Sequence, residues 1–433
     1  MSMPNYPNYK ESGAKWVGRI PAHWVVRPLK HMLDIQNGAD HKTVESTEGF
    51  PVIGSGGPFT FATEFLYDGE AVLLGRKGTI DKPLHVNGKF WTVDTMYWSK
   101  ILPGTWGRFA YYVALTIPFD YYSTSTALPS MTKSVLGAHL VARPPIDEQA
   151  AIATFLDCET AKIDALVAEQ EKLIALLSEK RLATISHAVT KGFNSNAAMK
   201  NSGVAWLGDV PAHWEVKRFR DACNSISTGP FGTALGSDDY ISGGVPVINP
   251  SHIVDNNIVP DDGVSVAKVT ADKLSFWSLR VGDIVIARRG ELGRAAIVQA
   301  SSDGWICGTG SLRVTPNDAQ ATADFLHAIL QSKYAREWLN QASVGSTMAN
   351  LNEGILGNLP IALPRVVDEQ RELTEALSER LSGIRAITVL TEESIALLRE
   401  RRSALIAAAV TGQIDVRGVA PEAVAEISEA IAA

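Results

Sequence analysis

The sequence predicts an α+β protein: two mixed α/β globules alternate with two long helices, and the alternation is an internal repeat. Three observations predict it. The segment Ser12-Gly13-Ala14-Lys15-Trp16-Val17-Gly18-Arg19-Ile20-Pro21-Ala22-His23-Trp24 returns as Ser202-Gly203-Val204-Ala205-Trp206-Leu207-Gly208-Asp209-Val210-Pro211-Ala212-His213-Trp214, at an offset of 190. Asp147-Glu148-Gln149 and Ala188-Val189-Thr190 return as Asp368-Glu369-Gln370 and Ala409-Val410-Thr411, at an offset of 221. Between these landmarks the apolar period switches from short β-rich runs to a helical stripe. The order is therefore variable unit, fixed unit, variable unit, fixed unit, and the step from 190 to 221 places 31 extra residues in the second variable unit.

Residues 1–143 form the first variable unit. Ala71-Val72-Leu73-Leu74 is a short β-rich run, Gly54-Ser55-Gly56-Gly57 marks a loop, and Phe109 to Leu115 reads as a helix. Residues 144–192 form the first fixed unit. Pro144 and Pro145 precede the acidic Asp147 and Glu148, which suit a helix start because they face unpaired backbone N–H groups. Ile163, Leu166, Leu173 and Leu177 give a heptad-like stripe with Gln170 in the skipped slot, and Gly192 stops the helix. Residues 193–200 read as a linker. Residues 201–363 form the second variable unit, with a β-rich run at Asp283–Ala287, a loop at Gly229-Pro230-Phe231-Gly232 and a helix from Ala323 to Gln341. Residues 364–412 repeat the fixed unit, with Ile384, Ile387 and Leu398 on the equivalent stripe, polar Thr391 and Ser394 between them, and Gly412 as the stop. A helix of this length carrying one narrow apolar stripe needs a partner helix, and the other copy supplies one; a bundle helix within one large domain is the plainer reading. The tail, residues 413–433, places Val424, Ile427 and Ile431 on one helical face.

At 433 residues the chain exceeds the usual size of one domain. No apolar run reaches the ~18 residues of a membrane-spanning helix, and Met1 to Lys10 has Pro and Asn where a secretory leader has an apolar core. Cys158, Cys223 and Cys307 make neither a disulfide framework nor a CxxC metal site, so a reducing cytoplasm is the expected location. The formal charge of -7 is uneven: residues 1–146 carry 14 Lys+Arg against 11 Asp+Glu, whereas residues 368–433 carry 7 against 12. The variable units can therefore present local basic surface, and the net charge does not exclude DNA.

Catalytic signatures are missing from the sequence. There is no P-loop, no HExxH or Cys/His cluster and no Gly-x-Ser-x-Gly elbow. His23 and His213 read as parts of a packed turn, and Asn249-Pro250-Ser251 as a turn without the aromatic that a base-methylating loop carries. Binding chemistry is better represented. Arg76 and Lys77, followed by Gly78 and Thr79, come after one β run; Arg288 and Arg289, followed by Gly290, come after the matching run. Paired cations on a glycine-bearing turn suit phosphate oxygens, and Arg can fork onto guanine; a solvated hairpin turn is the alternative. Ser-rich loops near the end of each variable unit add Ser125, Ser130 and Lys133 in the first copy and Ser346, Thr347 and Asn350 in the second. Their hydroxyl and amide groups suit phosphates or base edges, and a capped loop before a helix is the alternative.

The repeated Ser-Gly-x-x-Trp-x-Gly-x-x-Pro-x-His-Trp, the Asp-Glu-Gln that opens each long helix and the closing Val410-Thr411-Gly412-Gln413-Ile414-Asp415-Val416 resemble one family, the specificity subunits of type I restriction–modification systems. The resemblance covers nearly the whole chain, in order and twice. It implies two target recognition domains, each reading half of a split double-stranded DNA site, and two spacer helices packed antiparallel as a coiled coil. It implies no catalysis and no metal or cofactor in this chain. Two modification subunits would methylate adenine with S-adenosylmethionine, and restriction subunits with ATP and Mg would join them. Differing variable units then imply a bipartite, asymmetric site whose gap the helices set. A stand-alone adenine methyltransferase and a coiled-coil scaffold that does not bind DNA remain the alternatives.

Overall fold

Ala71–Gly75 is apolar at every position except its closing glycine and buried throughout, as a strand covered on both faces must be. The computed structural model describes residues 4–122, 129–231, 234–290, 292–343 and 350–418. They fall into two compact units: residues 1–171 with 392–433, and residues 172–391.

In the first unit the strands that build the candidate site are β1 (Leu33–Asn37), β2 (Phe50–Gly54), β3 (Gly57–Ala62), β4 (Ala71–Gly75), β5 (Lys89–Thr92) and β6 (Met96–Ile101). An antiparallel sheet runs Leu84–Val86, β4, β6, β1, and β2 pairs parallel to β5 through Val52–Trp91 and Ile53–Thr92. The second unit repeats this with β7 (Cys223–Thr228), β8 (Val245–Ile248), β9 (Ile284–Ala287), β10 (Ile306–Cys307) and β11 (Ser311–Pro316). Its sheet runs Ala295–Ile297, β9, β11, β7, and β8 pairs parallel to β10. The offset between equivalent residues grows from 195 at Ile53/Ile248 to 212 at Gly75/Ala287 and 220 at Met131/Leu351. The insertion is thus spread along the second copy, and its largest part lies between β8 and β9.

The helix expected from Ala323 to Gln341 is two helices, Ala323–Gln331 and Lys333–Ala342. They break at Ser332, whose ψ of 151° is extended and whose buried hydroxyl caps the second. Residues 193–200 are not all connection: Met199–Asn201 pairs with Asp209–Pro211, just as Tyr9–Glu11 pairs with Arg19–Pro21.

The central helix, Ile146–Lys191, and the C-terminal helix, Val367–Val410, each open on the Asp-Glu-Gln motif. Gln149 shows why the motif recurs. Its amide donates to the carbonyls of Pro144 and Gly104 and accepts from the N–H of Trp106. Gln370 does the same with Pro364, Gln320 and Thr322. Both glutamines are fully buried, so each riveted helix start is part of its globule. Gly192 and Gly412, at φ of 67° and 74°, end the two helices in the left-handed conformation. A Cβ at Gly412 would lie 2.4 Å from Pro21, so close approach adds a second demand for glycine. Beyond it, the N–H of Asp415 donates to the carbonyl of Pro4, and Gln413 donates to the carbonyl of Arg19. The tail's Val424, Ile427 and Ile431 lie outside the described residues.

Within each unit the helices pair antiparallel. In the first, Asp164 meets Arg402 at 2.9 Å and Glu171 meets Arg399 at 2.8 Å, while Ile152, Phe155 and Leu156 share a core with Ile406, Ala409 and Val410. In the second, Ile185, Ala188 and Val189 share a core with Leu373 and Leu377. The expected stripe needs correction at three positions. Ile163, Leu177 and Ile384 are buried and Leu398 is half-buried, but Leu166, Leu173 and Ile387 are 52%, 37% and 48% exposed. The inward residues are instead Ile163, Val167, Gln170, Ile174 and Leu177 on the central helix, and Ile384, Thr388, Thr391, Ile395 and Leu398 on the C-terminal helix. Steps of four and three alternate along both, which is the heptad rule. The three leucine and isoleucine side chains one position away follow the same period on an outward face.

Candidate nucleic-acid interface

In each unit the cation-bearing turn is the centre of a cluster of loops. Gly75 ends β4 where a Cβ would lie 2.4 Å from the Cα of Ile80, so only glycine lets the chain turn so tightly. The N–H groups of Arg76 and Lys77 both donate to the carbonyl of Thr95. The end of the Ser-rich loop closes the other side: Gly78 donates to the carbonyl of Pro129, Met131 donates to that of Arg76, and Lys77 forms an antiparallel bridge with Ser130. The cationic turn and the described end of the Ser-rich loop therefore lie side by side.

The second unit builds the same cluster from different residues. The N–H of Arg288 donates to the carbonyl of Gly310, and Leu351 donates to the carbonyl of Arg288. The loop after the first sheet strand completes each cluster. Gly38 donates to Met96 and Gly229 to Ser311, and a Cβ at either would lie 2.0 or 1.9 Å from the carbonyl oxygen of Val93 or Gly308. Sequence reasoning passed over Gly38, although the matched glycines after β1 and β7, 191 residues apart, were a readable signal.

The two cations of each pair have separate tasks. Arg76 is half-buried, donates from Nη1 to the carbonyl of Asp94 at 3.1 Å and lies over the Tyr97 ring. Arg288 is only 7% exposed. It donates from Nε to the carbonyl of Leu351 (3.0 Å) and from Nη1 to that of Thr309 (3.2 Å). Burial, and then neighbouring Arg289, pull its pKa below the usual arginine value. The first cation of each pair thus braces the turn against the loop that precedes β6 or β11. The second cation, Lys77 or Arg289, is exposed, as is Thr79.

Lys133 is exposed and, with Lys30, lines an open cavity of about 640 Å³ beside the first cluster. Asn350 is half-buried next to the second turn, and its Oδ1 has no hydrogen-bond partner among the described residues. Ser125, Ser346 and Thr347 lie outside the described residues. Asn249-Pro250-Ser251 is indeed a turn, with Arg294 donating to the carbonyl of Pro250 at 2.6 Å. His23 and His213 are also turn residues. His23 Nε2 lies 2.6 Å from Glu148 and His213 Nε2 lies 2.9 Å from Glu369, and the following Trp24 and Trp214 donate to the same carboxylates. No group of His, Cys, Asp and Glu suited to a metal occurs among the described residues. No helix among them is long and apolar enough to cross a membrane.

Residues 211–392 match the family model of the type I restriction modification DNA specificity domain. The chain is 24% identical over 306 residues to the type I restriction enzyme EcoBI specificity subunit of Escherichia coli, covering 67% of this chain and 63% of that protein. It is 22% identical over 298 residues to the MjaVIII specificity subunit of Methanocaldococcus jannaschii, covering 68% and 66%. The chain thus aligns with just under two thirds of the length of either relative. The fold is shared with a chain from a structural study of complex assembly and conformational transition of the type I R-M system (TM-score 0.62, 16% identity, 90% of this chain and 98% of that one). It is shared also with the HsdS subunit of Thermoanaerobacter tengcongensis (TM-score 0.50, 15% identity, 91% and 98%). A twice-built loop cluster and a twice-built helix joint stand beside these likenesses, and the proteins that the chain is similar to are type I restriction–modification specificity subunits.

Proposed function

We propose that the chain is the DNA-reading subunit of a multisubunit methyltransferase and endonuclease, without catalysis of its own. Each unit reads one half of a bipartite, asymmetric double-stranded site through its loop cluster. The observation that carries this reading is the equivalent placement of one exposed cation, Lys77 or Arg289, on a turn that a second, spent arginine holds rigid. A fixed ammonium or guanidinium contacts phosphate without ordering a loop on binding, and contacts of that kind set register on the duplex. Around that shared frame the two clusters differ in nearly every side chain: Ser130 and Lys133 against Asn350, with Thr79 only in the first. Different base-edge chemistry at each half follows.

The outward apolar face of the helices, with Leu166, Leu173 and Ile387, supplies surface for two modification subunits. Those subunits, not this chain, hold S-adenosylmethionine, and ATP with Mg belongs to the restriction subunits. Gel-shift with the purified chain, alone and with a co-expressed modification subunit, tests the reading. Sequence-specific retention by the complex and no methylation by the chain alone is the expected result. Methylation by the chain alone, or no retention even with the partner, overturns it.

A further inference from the structure

Each unit seats its Pro-Ala-His-Trp segment on the glutamate of a helix start, but the two seats are finished differently. In the first unit Glu148 is 7% exposed. It accepts from Trp24 Nε1 (3.0 Å) and Tyr6 Oη (3.2 Å) and lies 2.6 Å from His23 Nε2. Arg417 Nη1 approaches the same carboxylate at 3.9 Å, covers the Tyr6 ring at 4.7 Å and is gripped by Asp415 through two hydrogen bonds. In the second unit Glu369 meets only His213 and Trp214 among the described residues.

The repeat shows what is different. Counted from the paired strands, Tyr6 falls at Asn196; counted from the helix-ending glycines, Asp415 and Arg417 fall at Ser195 and Ala197. Where the first unit is filled, the second has a cavity of about 440 Å³ lined by Lys191, Ala197, His213, Trp214, Glu369 and Glu372, together with Phe193. Glu372 stands where the first copy has Ala151, so the helix returns the carboxylate lost at Ser195. The cavity keeps two carboxylates, as Arg417 has Glu148 and Asp415 in the first unit, while its Phe193 ring is already covered by the chain's own Arg380 at 3.9 Å. Carboxylates and ring faces both favour a guanidinium, which forks onto the one and stacks on the other.

We infer that this corner of the second unit is a docking socket for a partner polypeptide, which inserts an arginine with an adjoining aromatic side chain. The inference rests on reading the chain as an assembly subunit. It also gives the two pseudo-equivalent halves different partner surfaces: one closed by the chain itself, the other open.

The probe is the capped dipeptide acetyl-Tyr-Arg-amide, titrated calorimetrically into the full chain, with acetyl-Tyr-citrulline-amide as its uncharged twin. Binding with a Kd of about 1 mM or tighter is expected for the arginine peptide, and at least tenfold weaker binding for the citrulline peptide. Ala197→Arg, which restores the first unit's own cation, and Glu372→Gln should each weaken the arginine peptide at least tenfold. Neither touches the His213–Glu369–Trp214 joint, so the fold is kept. Failure of the arginine peptide to bind, equal binding of both peptides, or unchanged binding to Ala197→Arg would overturn the socket. Co-purification with the modification subunit separates this from the wider reading: a wild-type chain that recruits no such subunit contradicts the assembly role, whatever the peptides do.

Discussion

Arg288 and Arg289 are neighbours in sequence and opposites in use, and their difference makes a residue-level prediction. Arg289→Ala, like Lys77→Ala, should weaken DNA binding to all sequences alike and lower the slope of log K against log salt by about one. Arg288→Ala strands two carbonyls and unpins the turn, so it should lower the melting temperature of the free chain, a loss of ~1–3 kcal/mol. Salt titration of binding, set beside thermal unfolding without DNA, separates the two; equal unfolding of both variants contradicts the division of labour. His139 makes another. It is buried, stacked on Trp16 at 5.1 Å, with Nδ1 2.9 Å from Tyr122 Oη, and burial lowers its pKa to about 4. An unfolded histidine takes its proton near ~6.5. The folded form therefore keeps its full stability above that pH and loses stability as the pH falls toward 4. Urea midpoints at pH 7.5 and 5 should differ more for the wild type than for His139→Gln. The pairing of cations on each turn was legible in the sequence. Which cation is spent was not, because carbonyl acceptors such as those of Asp94, Thr309 and Leu351 have no signature in side-chain identity.

At the scale of elements, the helices show where a repeat is readable and where its phase is not. The long helices and their glycine stops follow from spacing and caps, and the structure agrees to within a few residues. The inward face does not follow as simply. After Ile163 the next inward residue lies four positions on, at Val167, whereas Leu166 is the larger apolar residue and draws the eye. Hydrophobicity picked the leucine; the antiparallel partner picks the position. Leu177→Ala should therefore cost ~2–5 kcal/mol of stability, the range for a buried leucine. Leu173→Ala should leave unfolding within ~0.5 kcal/mol of wild type and instead weaken recruitment of modification subunits. Denaturant unfolding and co-purification read the two effects separately, and a destabilised Leu173→Ala chain would return that residue to the seam. The break at Ser332 was equally hidden, because one buried serine hydroxyl at the cap outweighs an unbroken helical pattern.

At the scale of the molecule, both helices pass from one unit to the other, at Glu171/Lys172 and at Thr391/Glu392. Matched four-residue insertions at these two points add ~6 Å of helix, close to two base-pair steps of ~3.4 Å. They should lengthen the unread gap and leave both half-sites unchanged, and unchanged spacing with full activity contradicts a ruler role. The duplication and the alternation of variable and fixed parts were legible in the chain. The shared loop cluster was not, since it joins Gly38, Arg76, Thr95 and Met131 from four separate stretches. The central claim is that each unit reads its own half-site. The most direct test is sequencing of methylated adenines in cells that carry the modification subunit with either the wild-type chain or one whose residues 201–363 are exchanged for those of another specificity subunit. Two different half-sites with an unread gap, only one of them changed by the exchange, is the predicted result. A continuous or palindromic site, or a change in both halves, would contradict it.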